Sequence, residues 1–93
     1  MKTTSRRCTI YLITNRVNGK TYVGQTWMTL SARWKSHNKP SSKGKCPHLF
    51  NALLKYGKEN FTIEEIDSVK TQKRANILEI AWSRAYNHAY PVA

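Results

Sequence analysis

The 93-residue chain is long enough for one domain with a modest apolar core, so folding requires neither disulfides nor a structural metal. Sixteen lysine and arginine residues against five acids give a formal net charge of +11, which favours an anionic polymer, above all nucleic acid, as the partner. The mean hydropathy of −0.63, with no long apolar run and no signal-like start, argues against membrane insertion and secretion.

Two short apolar runs, residues 8–14 and 20–24, are rich in β-branched and aromatic types and predict the two strands of a hairpin. Asn18-Gly19 between them is a strong signal for a tight turn. Each run carries one tyrosine, Tyr11 or Tyr22. Cross-strand aromatic packing is the simple structural explanation for such a pair.

Alternation of side chains along the first strand places Ile10 and Leu12 on one face and Tyr11 on the other. Gly24 is expected where the second strand ends and the backbone turns.

A helix is predicted over residues 30–38, with Thr29 or Thr26 as its N-cap. Leu30, Arg33, Trp34 and His37 recur on one side of it. An arginine and a histidine are unusual on a packing face. The alternative is that Arg33 extends over Trp34 while His37 is a partly exposed surface residue.

The basic segment 39–46 is a loop, either a solvated connector or a contact to DNA. A second helix is predicted over residues 47–56, with an apolar stripe that includes Leu54, and Gly57 ends it. A third strand begins at residue 61 and reaches about residue 67.

Two cysteines are too few for a disulfide framework. Cys8 is predicted to be a small buried apolar residue of the first strand. Cys46 and His48 have the spacing of a metal-ligand pair, but two further ligands are missing, so structural zinc is not expected.

The last helix is predicted over residues 72–86, and its helical repeat of Ala75, Leu78, Trp82 and Ala85 should pack on the sheet. Glu79 borders this stripe as a lone carboxylate on a basic helix, either in a salt bridge or as a metal ligand. The tail cannot remain helical past Pro91.

The order of elements is therefore β-β-α-α-β-α. It predicts an α+β fold in which a small three-stranded, mixed or antiparallel sheet is flanked by helices. We expect residues 1–93 to form one domain, with flexible ends at 1–7 and 88–93.

Five ordered segments of the chain resemble the GIY-YIG nuclease family. They are Ile10-Tyr11, then Tyr22-Val23-Gly24 eleven residues on, the helix with Arg33 and His37, the passage 51–61 with its K-Y-G and E-N-F, and Leu78-Glu79-Ile80 with Tyr86-Asn87. The resemblance covers about residues 8–87. One departure is that Thr9 stands where the first motif has glycine.

The resemblance implies a metal-dependent DNA endonuclease, in which Tyr11 acts as general base or holds the attacking water. Tyr22 would position water or phosphate, Arg33 would bind non-bridging phosphate oxygens, and His37 would accept the proton from Tyr11 or bind phosphate. Glu79 would bind one Mg²⁺ or Mn²⁺ ion, because no second acid of the motif set supplies a two-metal site. Whether Tyr11 or His37 is the base stays open.

Further DNA contacts are expected beside these motifs. Lys20 and Lys35 are candidates for the DNA backbone, and His48, Asn51 and Asn87 are secondary candidates. The remaining lysines should act through counterion release, so DNA binding should weaken steeply with salt.

Within the family, the resemblance is strongest to homing enzymes of introns, phages and mobile elements, which act in the cell interior, in the nucleoid or in an infected host. Restriction or repair nucleases are the alternative. Outside enzymes, the charge and aromatic residues also suit a non-catalytic DNA-binding module or, with less support, a protein that binds membrane surfaces or acidic proteins.

Homing enzymes usually join the cutting domain to a separate recognition region, and none is recognised here. The chain is thus expected to be a minimal enzyme or an excised catalytic domain, without an obligate protein partner. One site per chain requires two successive nicks, or transient pairing of two copies on DNA, to cut both strands.

Overall fold

The structure is a computed structural model that describes residues 7–39, 47–86 and 90–91. Its elements follow the order β1 (Cys8–Asn15), β2 (Thr21–Thr26), α1 (Leu30–His37), α2 (Pro47–Tyr56), β3 (Phe61–Val69), α3 (Gln72–Ala85) and β4 (Tyr90–Pro91), with a short 3₁₀ turn at Lys58–Asn60. Most of the ends that were expected to be flexible lie outside the described residues, as does most of the basic loop.

The sheet has the strand order β3-β1-β2-β4. β1 is central and pairs antiparallel with both β2 and β3, so the predicted α+β fold with three strands and three helices is confirmed. β4 was not predicted. It adds a two-residue parallel strand that places Tyr90 opposite Tyr22 and Pro91 opposite Val23. No helix in the described part of the chain is long and apolar enough to cross a membrane.

Local signals in the sequence set the ends of these elements. Gly19 adopts a φ of +77° in the predicted Asn-Gly turn, a conformation that favours glycine. Thr29 is the N-cap of α1, because its hydroxyl accepts a hydrogen bond from the Ala32 amide at 3.1 Å. Gly57, with a φ of +85°, follows the last residue of α2.

The two faces of the sheet are both covered, as the alternation along β1 predicts. On one face Tyr11, Ile13 and Tyr22 pack with Leu49 and Leu53 of α2. The other face carries a second group of packed apolar residues, whose buried members are Cys8, Ile10, Leu12, Val23 and Ala75. The prediction that Leu54 and Ala85 belong to the core is wrong. Both are exposed, because each lies on the outer side of its helix.

β2 continues past Gly24 to Thr26, so the expectation that Gly24 ends the strand is wrong. Gly24 lies directly opposite Tyr11 in the ladder. A Cβ atom at position 24 would overlap the Cζ and hydroxyl of the Tyr11 ring and would lie 2.8 Å from its Cε1. Glycine is therefore required here to make room for the Tyr11 ring, not to turn the chain.

Candidate active site

Tyr11 on β1 meets Arg33 and His37 of α1, which lie one helical turn apart. The Tyr11 hydroxyl oxygen accepts a hydrogen bond from Arg33 Nε at 3.1 Å. The same oxygen lies 2.8 Å from His37 Nε2, and the two rings meet edge to face. A β-bulge between β1 and β3 falls beside Tyr11, a common feature next to active sites.

His37 is buried, and its imidazole is held in the neutral form. Burial, followed by the positive charge of Arg33, lowers the pKa of His37 from 6.5 to about 4. A neutral imidazole can accept a proton at Nε2, whereas Arg33 Nε can only donate. In the tautomer that leaves Nε2 unprotonated, His37 can accept the hydroxyl proton of Tyr11.

Glu79 is 6% exposed on the opposite face of the sheet, where α3 packs on β2. Its Oε1 accepts a hydrogen bond of 2.6 Å from Gln25 Nε2. Burial raises the pKa of Glu79, while the Gln25 hydrogen bond and then the charge of Arg33 oppose that rise. Among the described residues, its hydrogen-bond partner is thus an amide, rather than the cation of the salt bridge considered from the sequence.

Arg33 links the two halves of the site electrostatically. Its guanidinium contacts the Tyr11 hydroxyl. After burial, the same charge contributes to the lowered pKa of His37, and it opposes the rise in the pKa of Glu79. The predicted phenol, imidazole, guanidinium and carboxylate therefore share one electrostatic environment, although they come from opposite faces of the sheet.

Tyr22 lies beside a surface pocket of about 200 Å³. The lining includes three of the predicted DNA-binding residues, Lys20, His48 and Asn51, together with Asn18, Tyr22, Ala52, Lys55 and Tyr56. Lys35 is exposed on α1 and does not line this pocket. Asn87 and Cys46 lie outside the described residues.

Comparison with known proteins identifies the family. The GIY-YIG catalytic domain matches residues 7–90. This chain belongs to the GIY-YIG family. The catalytic domain of the homing endonuclease I-TevI superposes on this GIY-YIG domain with a TM-score of 0.75 at 26% sequence identity, covering 92% of this chain and 98% of that chain. A mutant of the catalytic domain of the intron endonuclease I-TevI gives a TM-score of 0.76 at 26% identity, covering 94% of both chains. A search of curated proteins gives no significant match.

The GIY-YIG domain offers a narrow choice of metal. In its described residues, no group of three or more His, Cys, Asp or Glu side chains is placed to hold an ion. A Zn²⁺ ion needs such a group, whereas Mg²⁺ binds through one or two carboxylates and keeps several waters. Among the described residues, Glu79 is a carboxylate that would suit a largely hydrated hard cation.

Sequence reasoning missed two features of the GIY-YIG domain. Gln25 lies just beyond the predicted second strand, residues 20–24, but it belongs to β2 and contacts Glu79. Lys55 and Tyr56 line the pocket beside Tyr22, although the K-Y-G passage was noted only as a resemblance. Counting the strand alternation from Val23, which faces α3, would have placed Gln25 on the side of Glu79.

Proposed function

We propose that this GIY-YIG domain is a divalent-metal-dependent DNA endonuclease, which hydrolyses phosphodiester bonds by water attack that Tyr11 and His37 assist. The hydrogen-bonded set of Tyr11, Arg33 and His37 carries this proposal. We further propose a homing-type or mobile-element role in a cell or virus-infected host, in keeping with the likeness to I-TevI.

The proton path begins at the attacking water. Tyr11 takes a proton from the water as it passes its own hydroxyl proton to the neutral His37. An ordinary phenol has a pKa of about 10, so any negative charge that builds on the Tyr11 oxygen, when its own proton leaves ahead of the arriving one, needs a nearby positive charge. Arg33 supplies that charge through the hydrogen bond to the Tyr11 oxygen.

Tyr11 and His37 have almost no exposed surface, so the reacting group lies in a water-poor environment. Charges interact more strongly there than in bulk water, which increases the effect of Arg33. Bulk water cannot reach the buried hydroxyl of Tyr11, so the proposed reaction requires this hydroxyl to become accessible when DNA binds.

Glu79 would hold one Mg²⁺ or Mn²⁺ ion. When bound, such an ion supplies Lewis-acid stabilisation of the charge that develops on the phosphate and the leaving oxygen. Glu79 would bind the ion, and Arg33 would neutralise a non-bridging phosphate oxygen.

The DNA backbone would lie across the pocket beside Tyr22. Lys20 and Lys55 bring two ammonium groups to this pocket, and His48 and Asn51 add polar groups that suit phosphate oxygens. Tyr22 is buried at the edge of the same pocket, between these residues and the sheet. This arrangement supports a role for Tyr22 in positioning the phosphate or water.

Plasmid cleavage tests this function. Supercoiled DNA is incubated with the parent chain, Glu79→Ala and the matched control Glu64→Ala, with Mg²⁺ or with EDTA. Glu64 is an exposed acid of β3, so its replacement makes the same change of charge outside the candidate site. We expect the parent and Glu64→Ala to nick DNA only with Mg²⁺, and Glu79→Ala to be inactive.

DNA binding separates the enzyme from a non-catalytic binding module. All three proteins should shift a DNA duplex equally in EDTA, because the basic surface is unchanged. Cleavage by Glu79→Ala at the parental rate would refute the proposed site. Binding by the parent without any metal-dependent cleavage would refute the enzyme.

A further inference from the structure

A chain of polar side chains ends on the Glu79 carboxylate. Trp27 Nε1 donates to Gln72 Oε1 at 2.9 Å, and Gln72 Nε2 donates to Gln25 Oε1. Gln25 Nε2 then donates to Glu79 Oε1 at 2.6 Å. Asn76 Oδ1 accepts hydrogen bonds of 2.9 Å from both glutamine amides, so a second residue of α3 stabilises this series of hydrogen bonds.

The chemistry of Trp27 fixes the direction of this chain. An indole nitrogen can only donate, so Gln72 must present its oxygen to Trp27 and its amino group to Gln25. Gln25 must then accept at Oε1 and donate at Nε2. Cys8 Sγ is a second donor towards Gln25 Oε1, at 3.8 Å, and agrees with the same orientation.

The fixed direction has a consequence for Glu79. The only group that Gln25 can present to the carboxylate is a donor, and that donor occupies Oε1. In the described residues the structure gives no hydrogen bond to Oε2, which remains for another ligand. An isolated carboxylate on a helix could rotate about its last torsion, whereas this one is oriented by Gln25, whose amide cannot flip without breaking the hydrogen bonds that run back to Gln72 and Trp27.

We propose that Gln25 is a positioning residue for Glu79, and that Trp27 and Gln72 hold its amide in the donating orientation. The inference rests on the proposed role of Glu79 in binding a divalent cation. Groups that hydrogen-bond to a metal ligand orient it and raise its affinity for the metal. The competing explanation is that the chain only attaches α3 to the end of β2.

Three variants separate these explanations. Gln25→Leu removes the amide and keeps a side chain of similar bulk. Trp27→Phe keeps an aromatic ring and removes only the donor that sets the direction, two links away from Glu79. Asn60→Ala is the matched control, because it removes a hydrogen bond to the Tyr56 carbonyl far from α3.

Metal binding is measured without DNA, by the broadening that Mn²⁺ causes in the NMR amide signals of residues 78–80. Loss of a neighbour that orients a metal ligand lowers affinity about 10- to 100-fold, so the Mn²⁺ midpoint for Gln25→Leu should rise by about that factor. Trp27→Phe should raise the midpoint in the same direction by a smaller factor, and Asn60→Ala should leave it at the parental value. The Mg²⁺ midpoint for plasmid cleavage should follow the same order.

The outcomes can be told apart. Suppose that Glu79→Ala loses the broadening but Gln25→Leu and Trp27→Phe keep the parental Mn²⁺ midpoint. The hydrogen bonds from Trp27 to Glu79 then only attach α3 to β2, and the inference fails. If Glu79→Ala itself keeps both the broadening and the cleavage, the proposed function fails instead. Should Gln25→Leu not fold, Trp27→Phe decides the inference alone.

Discussion

Replacement of Gly24 by alanine tests how Tyr11 is held. The added Cβ would lie 2.8 Å from Tyr11 Cε1 and closer to its Cζ and hydroxyl, against an optimal carbon separation of about 3.5–4.0 Å. Relief requires a ring displacement of about 1 Å, and Tyr11 is fully buried among core residues. The hydroxyl would then leave its hydrogen bonds of 3.1 and 2.8 Å to Arg33 and His37.

Overpacking of this kind costs about 1–3 kcal/mol of unfolding free energy. A displacement of about 1 Å in a reacting group costs roughly 100-fold in rate. We therefore expect Gly24→Ala to lose that much stability in a urea titration and at least about 100-fold in the rate of plasmid nicking.

Gly19→Ala is the control for a generic effect of replacing glycine. A Cβ at position 19 meets no atom within 4 Å, but the φ of +77° disfavours alanine by about 1–2 kcal/mol. The two variants should therefore lose similar stability, while only Gly24→Ala loses activity. Nicking by Gly24→Ala within threefold of Gly19→Ala would show that the fit of Tyr11 against the strand does not govern the reaction.

Three further predictions follow from the charges of the site. The folded pKa of His37, about 4, lies below the ordinary 6.5, so its contribution to stability is complete above pH 6.5 and is lost as pH falls towards 4. At about 1.4 kcal/mol per pH unit, the loss of unfolding free energy amounts to about 3 kcal/mol. Urea titrations at pH 6.5 and at pH 4 should show this loss in the parent and not in His37→Gln. Arg33→Lys keeps the positive charge but loses the planar, forked donors of the guanidinium, so the rate of plasmid nicking should fall about 100-fold. Gel shifts should show unchanged DNA affinity. Nicking at the parental rate would contradict the role of the guanidinium. Lys20→Ala combined with Lys55→Ala should reduce the slope of log affinity against log salt by about 1.8, at about 0.9 per lost phosphate contact. Lys73→Ala, in a different pocket on α3, should reduce the slope by less than the pair does.

The predictable parts of the fold are those that local chemistry determines. The hairpin follows from two β-rich runs and an Asn-Gly turn, and Gly19 takes the positive φ that such a turn requires. The predicted helices agree with the structure to within about a residue at each end, because Thr29, Gly57 and Pro47 mark their ends.

The remaining features depend on contacts between distant residues. β4 has only two residues and gains its partner from β2, so no local pattern could predict it. A glycine at position 24 is compatible both with the end of a strand and with a close contact to a neighbouring ring. Only the position of Tyr11 in the folded protein shows that the second explanation is correct. Gln25 is an ordinary polar residue until α3 brings Glu79 against it.

The resemblance named several residues that the structure brings into contact, but not the residues around them. The resemblance named Tyr11, Arg33 and His37 together, and the structure joins them through a single hydroxyl. It named Glu79 without its neighbours, because a motif gives the identity of a side chain and not the group that orients it.

The division of the site between two faces of one sheet has a consequence for heat sensitivity. The phenol and the imidazole belong to the layer that includes α1, whereas the carboxylate is carried by α3, which is attached to β2 partly through side-chain amides. Partial detachment of α3 would remove the acid from the reach of the arginine while the hairpin and its tyrosines stayed intact. Cutting would then stop at a lower temperature than the one at which the strands separate, and cooling would restore it without refolding of the whole chain.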